Sequence, residues 1–588
     1  MSSSESTELK NTETKTAPGA QLDPIKTKER VPGHTDYYEK DGLRTYGDDE
    51  DHDHEPPMTF SRFMSLVAMA LLWTGSQIPV YLYGGCPPYI YGDIGGTDRW
   101  VWFVLANLLA LAAVCPFVGS LSDILGRRYV ALLGGSFLIL GNIVCATAHT
   151  MNIFICGMVF NGVGAGINEL TALAATSEMA PTRKRGTYVS VLIFTIIPFC
   201  PSVLWAQLIA YHSTWRYIGL ICGIWAAIGT LLVLFFYFPP PRVNSKGMTN
   251  KQVLGEIDWI GGLLSIAGSI LFMAGLQWGG YMYPWRSAHV LVPLILGAFL
   301  LIAFFAWEAK GAKHPMFPRR LQQDPRVLAL TLLITFISGA NFFSVLMFWP
   351  TQAFNVYGHD PIQVGIRGIP IGFAIMVGAC IVLVLLSVTR GKIRALMLGS
   401  TILMTLGVGL MALAERDNMK VMWFILIIAG LGIGGILVPA SIITTIVCPD
   451  DLIATVSALT LATRVLGGVV GYAVYYNVFY NKFVTYTSET IPVAMVKSGI
   501  KPDVKVIAEV IALTGQSLID RIKEIPEIAA ASPEAYEAII LAGQEAYAHA
   551  YKYVYYVSIA FGVISIIAAA FLGDITKYMD DHVAVVMH

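Results

Sequence analysis

Gly119-Ser120-Leu121-Ser122-Asp123-Ile124-Leu125-Gly126-Arg127-Arg128 is a short polar link between two long stretches, 100–122 and 129–168, that carry no charge. Its residues suit a tight turn at a membrane surface. The glycines permit a sharp reversal, the acid can sit at a neighbouring helix N-terminus, and the arginines can reach an acid on another helix. Charge-free runs recur outward from it, at 63–92, 187–215, 217–241, 259–285, 287–307, 327–359, 368–389, 395–414, 421–449 and 553–573. About 20 residues at about 1.5 Å each cross a hydrocarbon layer of about 30 Å. The 129–168 run is broken at His149-Thr150-Met151-Asn152 and makes two spans, and 452–481 is apolar apart from Arg464. The reading is an all-α polytopic membrane protein with 14 transmembrane helices.

Composition agrees. Of 588 residues, 55% are hydrophobic and 13% charged, there are 55 glycines, and the mean hydropathy is +0.61. A soluble enzyme or a water-facing globule is excluded, and a formal charge of −1 gives nucleic acid no general attraction. Residues 1–57 hold 7 Lys and Arg against 14 Asp and Glu, an acidic tail expected to be disordered and cytoplasmic. Its acidic run 48–55 is read as solvated, so no metal site is assigned. None of the eight cysteines lies in the long connection 483–552, and no disulfide framework follows.

Lys and Arg of short connections are retained on the cytoplasmic side. With the tail inside, sixteen lie in inside connections, from Arg127 and Arg128 to Arg390, Lys392 and Arg394, against five outside, Arg99, Arg216, Arg286, Arg416 and Lys420. Both termini are therefore expected in the cytoplasm. The connection 483–552 then lies outside, and Ser532-Pro533-Glu534 predicts a capped surface helix there.

The chain also repeats itself. Gly162, Gly164 and Gly166 precede Pro181 as Gly430, Gly432 and Gly434 precede Pro449, an offset of 268, and Gly126-Arg127 and Gly134 echo Gly391-Lys392 and Gly399 at 265. Duplication gives a 6+2+6 plan: a six-helix bundle over 58–241, a two-helix insert with linkers over 242–320, a second six-helix bundle over 321–574 and a cytoplasmic tail over 575–588.

The link 119–128 resembles the G-x-L-x-D-x-x-G-R-R/K signature of the major facilitator superfamily, and Glu178-x-x-Pro181-x-x-x-Arg185-Gly186 also resembles that superfamily's pattern. The resemblance implies the major facilitator fold and a cytoplasmic gate built from Gly119, Asp123, Gly126, Arg127, Arg128, Glu178 and Arg185, with Asp123, Arg127, Glu178 and Arg185 forming one latch that favours an outward-open state. Stretches such as Pro198-Phe199-Cys200-Pro201-Ser202, Ile257-Asp258-Trp259-Ile260-Gly261-Gly262 and Asp574-Ile575-Thr576-Lys577-Tyr578-Met579 look like the fungal fourteen-span group typified by the trichothecene efflux pump. That implies a proton-driven antiporter exporting amphipathic mycotoxins or drugs. The chain departs from the drug:proton antiporter pattern in span five, with Cys200-Pro201-Ser202-Val203-Leu204-Trp205, and in span four, with Met158 where an arginine is usual. A siderophore-iron importer of the same plan stays open.

A charge in mid-bilayer costs about 2.5–3.5 kcal/mol, so a chain keeps it for a reason. Glu169 and Arg464 both fall near the midplane. In a low-dielectric cavity a carboxyl favours its neutral form, which suits Glu169 to proton coupling; the alternative is a structural carboxyl bonded to neighbouring helices. Leu437 stands at its place in the second half. Arg464 is read either as a partner for a substrate anion or as bound to carbonyls and a distant acid. Gln77, Asn168 and Asn341, with Arg464, are candidates for lining a substrate cavity. The expected partners are the lipid bilayer, a small-molecule substrate and protons; no cofactor, metal or nucleic acid is called for. A monomer in the plasma membrane, or in a vacuolar or vesicular one, is expected.

Overall fold

The computed structural model describes residues 55–588 apart from 98, 100, 241–251, 253–254, 256, 281, 319–320, 322–323, 501–502, 580–582 and 585–588. The acidic tail up to residue 54 and the start of the 242–320 linker lie outside the described residues. Fourteen helices are long and apolar enough to cross a membrane. They are α1 (Phe60–Gly84), α2 (Trp102–Leu125), α3 (Arg127–Ala146), α4 (Met151–Met179), α5 (Thr182–His212), α6 (Arg216–Phe236), α7 (Trp259–Trp278), α8 (Ala288–Lys310), α9 (Pro325–Tyr357), α10 (Pro361–Val388), α11 (Ile393–Leu413), α12 (Met419–Ile446), α13 (Asp450–Lys497) and α14 (Pro533–Ala570). No β-strand occurs among the described residues.

Helix boundaries follow local chemistry. Thr150 caps α4 by accepting from the Ile153 N–H, so the break expected at 149–152 becomes the turn between α3 and α4. Asp258, Ser287, Asp324 and Asp360 cap α7, α8, α9 and α10 in the same way. Within α5, Pro198 lies in a tighter 3-10 stretch, Phe194–Phe199, and helix resumes at Ser202. Proline lacks the N–H that the α-helical ladder needs there.

Between helices, packing depends on missing side chains. A Cβ on Gly164 would meet the Gly134 carbonyl at 2.7 Å, and one on Gly432 would meet the Met404 nitrogen at 2.1 Å, so the duplicated glycines seat α4 on α3 and α12 on α11. Gly126 and Gly391, the paired turn glycines, both adopt positive φ, at 94° and 86°. The halves meet along two corresponding seams, α2 against α13 and α5 against α10. On the second seam, Gly365, Gly368 and Gly372 of α10 face Leu204, Val203 and Cys200.

The connection 483–552 differs from its expected form. α13 continues unbroken to Lys497, and the helix that Ser532 caps runs on as α14 for 38 residues, so the short surface helix is the first part of the last span. Between them, helix Val504–Gly515 and two single turns close over a small core of Ile491, Val510, Ile522, Ile525, Ile528 and Ile539. Alternating isoleucines and polar residues gave this region too little hydropathy to cross lipid, but enough apolar surface to fold on itself.

Candidate functional site

Gly126, at φ 94°, turns the chain from α2 straight into α3 and lays Arg127 beside Asp123. The Arg127 Nη2 lies 2.5 Å from Asp123 Oδ1 and also pairs with Glu178 near the end of α4, while Nη1 donates to Ser122 Oγ at 3.0 Å. All three charged groups are buried. The second oxygen of Asp123 crosses to the other half, accepting from the Thr455 N–H at 2.9 Å and the Thr455 hydroxyl at 2.6 Å where the α-helical part of α13 begins, at Ile453. A carboxylate there also meets the positive end of the helix.

Arg185, at the start of α5, makes a second crossing by donating to the Thr445 carbonyl at 2.6 Å and to Asp450 Oδ1 at 3.3 Å. Thr455 and Asp450 were not among the residues read from the sequence. Asp450 does follow Pro449, where Thr182 follows Pro181 in the first half, and that repeat position was the available signal. Arg128 stands apart, donating to the Leu234 carbonyl at 2.9 Å with its guanidinium 3.9 Å from the centre of the Phe238 ring.

Gly119 completes the closure, since a Cβ built there would lie 2.5 Å from the Ala458 Cβ and 3.2 Å from the Ala454 carbonyl. Backbone and a buried methyl cannot swing aside. Gly119→Leu is therefore expected to hold this end of the bundle open, with at least tenfold faster modification of the nearby buried Cys448 by a water-soluble maleimide, read by mass spectrometry. Labelling at the wild-type rate would remove Gly119 from the gate.

Deeper in the bundle, Glu169 of α4 and Arg464 of α13, 295 residues apart, form an ion pair through Nη2 and Oε1. Both side chains are buried, and the acid distant in sequence that was one reading of Arg464 is Glu169 itself. Arg464 Nε has no partner. The pair ties the first half to the second, and Leu437 at the repeat position leaves the second half without a matching acid.

The polar candidates separate. Asn341 accepts from the Tyr475 hydroxyl at 3.0 Å, and its buried Nδ2 is unpartnered. Gln77 accepts from Tyr81 one turn along its own helix at 2.9 Å. Asn168 turns to α3, where its amide, oriented to suit its neighbours, donates to the Ala131 carbonyl at 3.0 Å and accepts from the Gly135 N–H at 3.2 Å. It packs two helices together rather than facing an open space. Arg367 donates to the Ala353, Tyr357 and Gly358 carbonyls and so closes the end of α9. Among the described residues, no group of His, Cys, Asp and Glu is placed to hold a metal ion.

Residues 65–588 match the family model described as the fungal trichothecene efflux pump. The chain belongs to that family. It is a family of membrane transporters, not of enzymes. Among its relatives, the trichothecene efflux pump TRI12 of Fusarium sporotrichioides is 26% identical over 506 residues, covering 84% of this chain and 83% of that one. The MFS transporter L2 of Phoma sp. (strain ATCC 20986 / MF5453) is 31% identical, covering 59% of this chain and 57% of its own. The MFS-type transporter gkaD of Penicillium citrinum is 27% identical, and the chain spans 64% of its length. In fold, the chain is similar to the proton:xylose symporter XylE of the major facilitator superfamily, with a TM-score of 0.50 and 12% identity over 89% of this chain and 98% of that one. A likeness of the same extent, TM-score 0.50 at 14% identity, covers 86% of this chain and all of the human organic anion transporter MFSD10.

Two features thus coexist in this efflux-pump-family fold. One end is sealed by Asp123–Thr455 and Arg185–Asp450, and toward the opposite end an aromatic-lined chamber opens between the halves. That chamber is lined by none of Gln77, Asn168, Asn341 or Arg464.

Proposed function

We propose that this chain exports small amphipathic compounds, such as mycotoxins or drugs, in exchange for protons. It works as a monomer in the plasma membrane with both termini in the cytoplasm, so that the sealed end faces inward. The bundles 58–241 and 321–574 rock about the α2–α13 and α5–α10 seams, with 242–320 as a lateral insert. One observation carries the proposal: the buried Glu169–Arg464 pair joins the two moving halves. While it is intact, each charge compensates the other. A proton taken up by Glu169 from the outer side cancels the carboxylate and leaves Arg464 uncompensated, which frees the halves to return inward. There the proton leaves to the cytoplasm as the pair re-forms around a new substrate. Losing one partner of a buried pair typically costs about 3–5 kcal/mol, enough to bias such a return. Import of a ferric siderophore, which the sequence left open, finds no support in the family or in the relatives named above.

The test is flux in liposomes containing the purified chain. An imposed pH difference should drive a neutral amphipathic toxin in the direction opposite to protons, and a protonophore should stop it. Flux that ignores the pH difference would overturn proton coupling.

A further inference from the structure

The stretch Asp574-Ile575-Thr576-Lys577-Tyr578-Met579 follows the last span and packs back against the protein. Asp574 Oδ1 accepts from the Thr576 N–H at 2.9 Å and from the Thr576 hydroxyl at 2.5 Å, which bends the chain into a single 3-10 turn, Thr576–Tyr578. Side chains three apart lie on one side of such a turn. Ile575 and Tyr578 are accordingly 0% and 1% exposed, while Thr576 and Lys577 face out. Val583 and Ala584, farther along, are fully buried as well.

The buried side of the tail meets the turn between α10 and α11. Arg390 and Gly391 take positive φ there in succession, at 50° and 86°. A left-handed residue with a side chain is strained, and it persists only where its surroundings hold it. A Cβ built on Gly391 would lie 2.9 Å from Ile575 Cγ1 and 3.1 Å from Met579 Cγ, so the tail sits directly on the turn. Just before the turn, α10 closes on the first half. Ser387 Oγ accepts from the Thr187 N–H at 3.2 Å, and a Cβ on Gly186 would lie 2.4 Å from the Leu383 carbonyl. Gly186 and Thr187 directly follow Arg185, whose guanidinium crosses to the Thr445 carbonyl.

At the repeat offset of 265, the turn at Gly391-Lys392 corresponds to Gly126-Arg127, the turn of the Asp123–Arg127–Glu178 cluster. The matching acids are missing from the second half. Val388 stands in the place of Asp123 and, at the offset of 268, Ile446 in the place of Glu178, while Lys392 is exposed. We propose that Ile575, Tyr578 and Met579 are positioning residues, an apolar clamp that fixes the α10–α11 turn and thereby holds the α5–α10 seam shut at the sealed end, in the place that ion pairs fill in the first half. The clamp stands on the geometry of the sealed end and is independent of proton coupling.

Two native cysteines test it in the purified full chain. Cys380 is buried in the α5–α10 seam with its thiol 3.8 Å from the Ser190 carbonyl, and Cys145 is buried between α3 and α4, within the first half. Ile575→Ala removes the atoms seated on Gly391 and should speed modification of Cys380 by a water-soluble maleimide about tenfold, read by mass spectrometry, with Cys145 unchanged. Gly391→Ala, which drives a methyl into Ile575, should do the same from the other side of the contact. Ile575→Val keeps the branched packing and should label within about twofold of the wild type. Lys577→Ala, at an exposed neighbour whose Nζ lies 3.8 Å from Asp324 Oδ2, should label at the wild-type rate. Wild-type labelling of Cys380 in both Ile575→Ala and Gly391→Ala, an equal rise at Cys145, or a rise of the same size in Ile575→Val or Lys577→Ala each overturns the clamp.

Discussion

Glu169→Gln is expected to reduce pH-driven transport at least a hundredfold while the protein inserts and folds. Glutamine keeps the shape of the side chain and can still accept from Arg464, but it holds no charge to compensate the guanidinium and no proton to exchange. Leaving Arg464 buried without its counter-ion costs about 3–5 kcal/mol, which should appear as a lower Tm. Pairing the change with Arg464→Met removes the stranded charge, so the double variant should regain much of that stability without regaining proton drive. Exchange of substrate across the membrane with no pH difference needs no net proton movement and should survive better than driven flux. Full pH-driven accumulation by Glu169→Gln would remove the proton role from this carboxyl.

The second large effect is expected at the sealed end. Asp123 gives one oxygen to Arg127 and the other to Thr455 of α13, so asparagine cannot satisfy both sides at once. Hydrogen bonds to a charged group contribute about 1.5–3 kcal/mol each, so Asp123→Asn should shift the balance between sealed and open roughly ten- to a hundredfold toward open. Cys448 reports it from within the protein. It is buried beside the gate, and burial holds its thiol well above the ordinary value, so little thiolate is present while the end is shut. Its modification by a water-soluble maleimide should rise by the same factor in Asp123→Asn, and by less in Asp450→Asn, which weakens the Arg185 contact with Asp450 while the bond to the Thr445 carbonyl remains. An unchanged rate in both variants would show that these carboxylates do not hold the end closed.

Much of the architecture could be read in advance because lipid imposes a one-dimensional rule: a crossing helix must show itself as a long run without charge. That rule placed all fourteen spans, and the expense of buried charge picked out Glu169 and Arg464 one at a time. What it did not supply was their partnership, since a bond across 295 residues depends on how α4 and α13 are set side by side. Asp450 and Thr455 escaped for the same reason. Each looks like an ordinary helix-start residue until the other half is brought against it. Asn168 shows the opposite error, a polar residue in mid-span that satisfies its amide on the backbone of α3. The rise of α13 beyond the membrane was hidden by Thr487, Ser488, Glu489 and Thr490, whose polarity ends a lipid span but not a helix in water.

That rise has a practical consequence. At 48 residues, α13 is about 72 Å long, more than twice the hydrocarbon thickness, and α14 returns alongside it. The pair stands as a mast rooted in the second half, so any tilt of that half sweeps its tip through a proportionally larger arc. A spin label near the tip and another on the exposed edge of the first half would turn each transport stroke into a distance change, and a small cargo pump would carry its own built-in pointer.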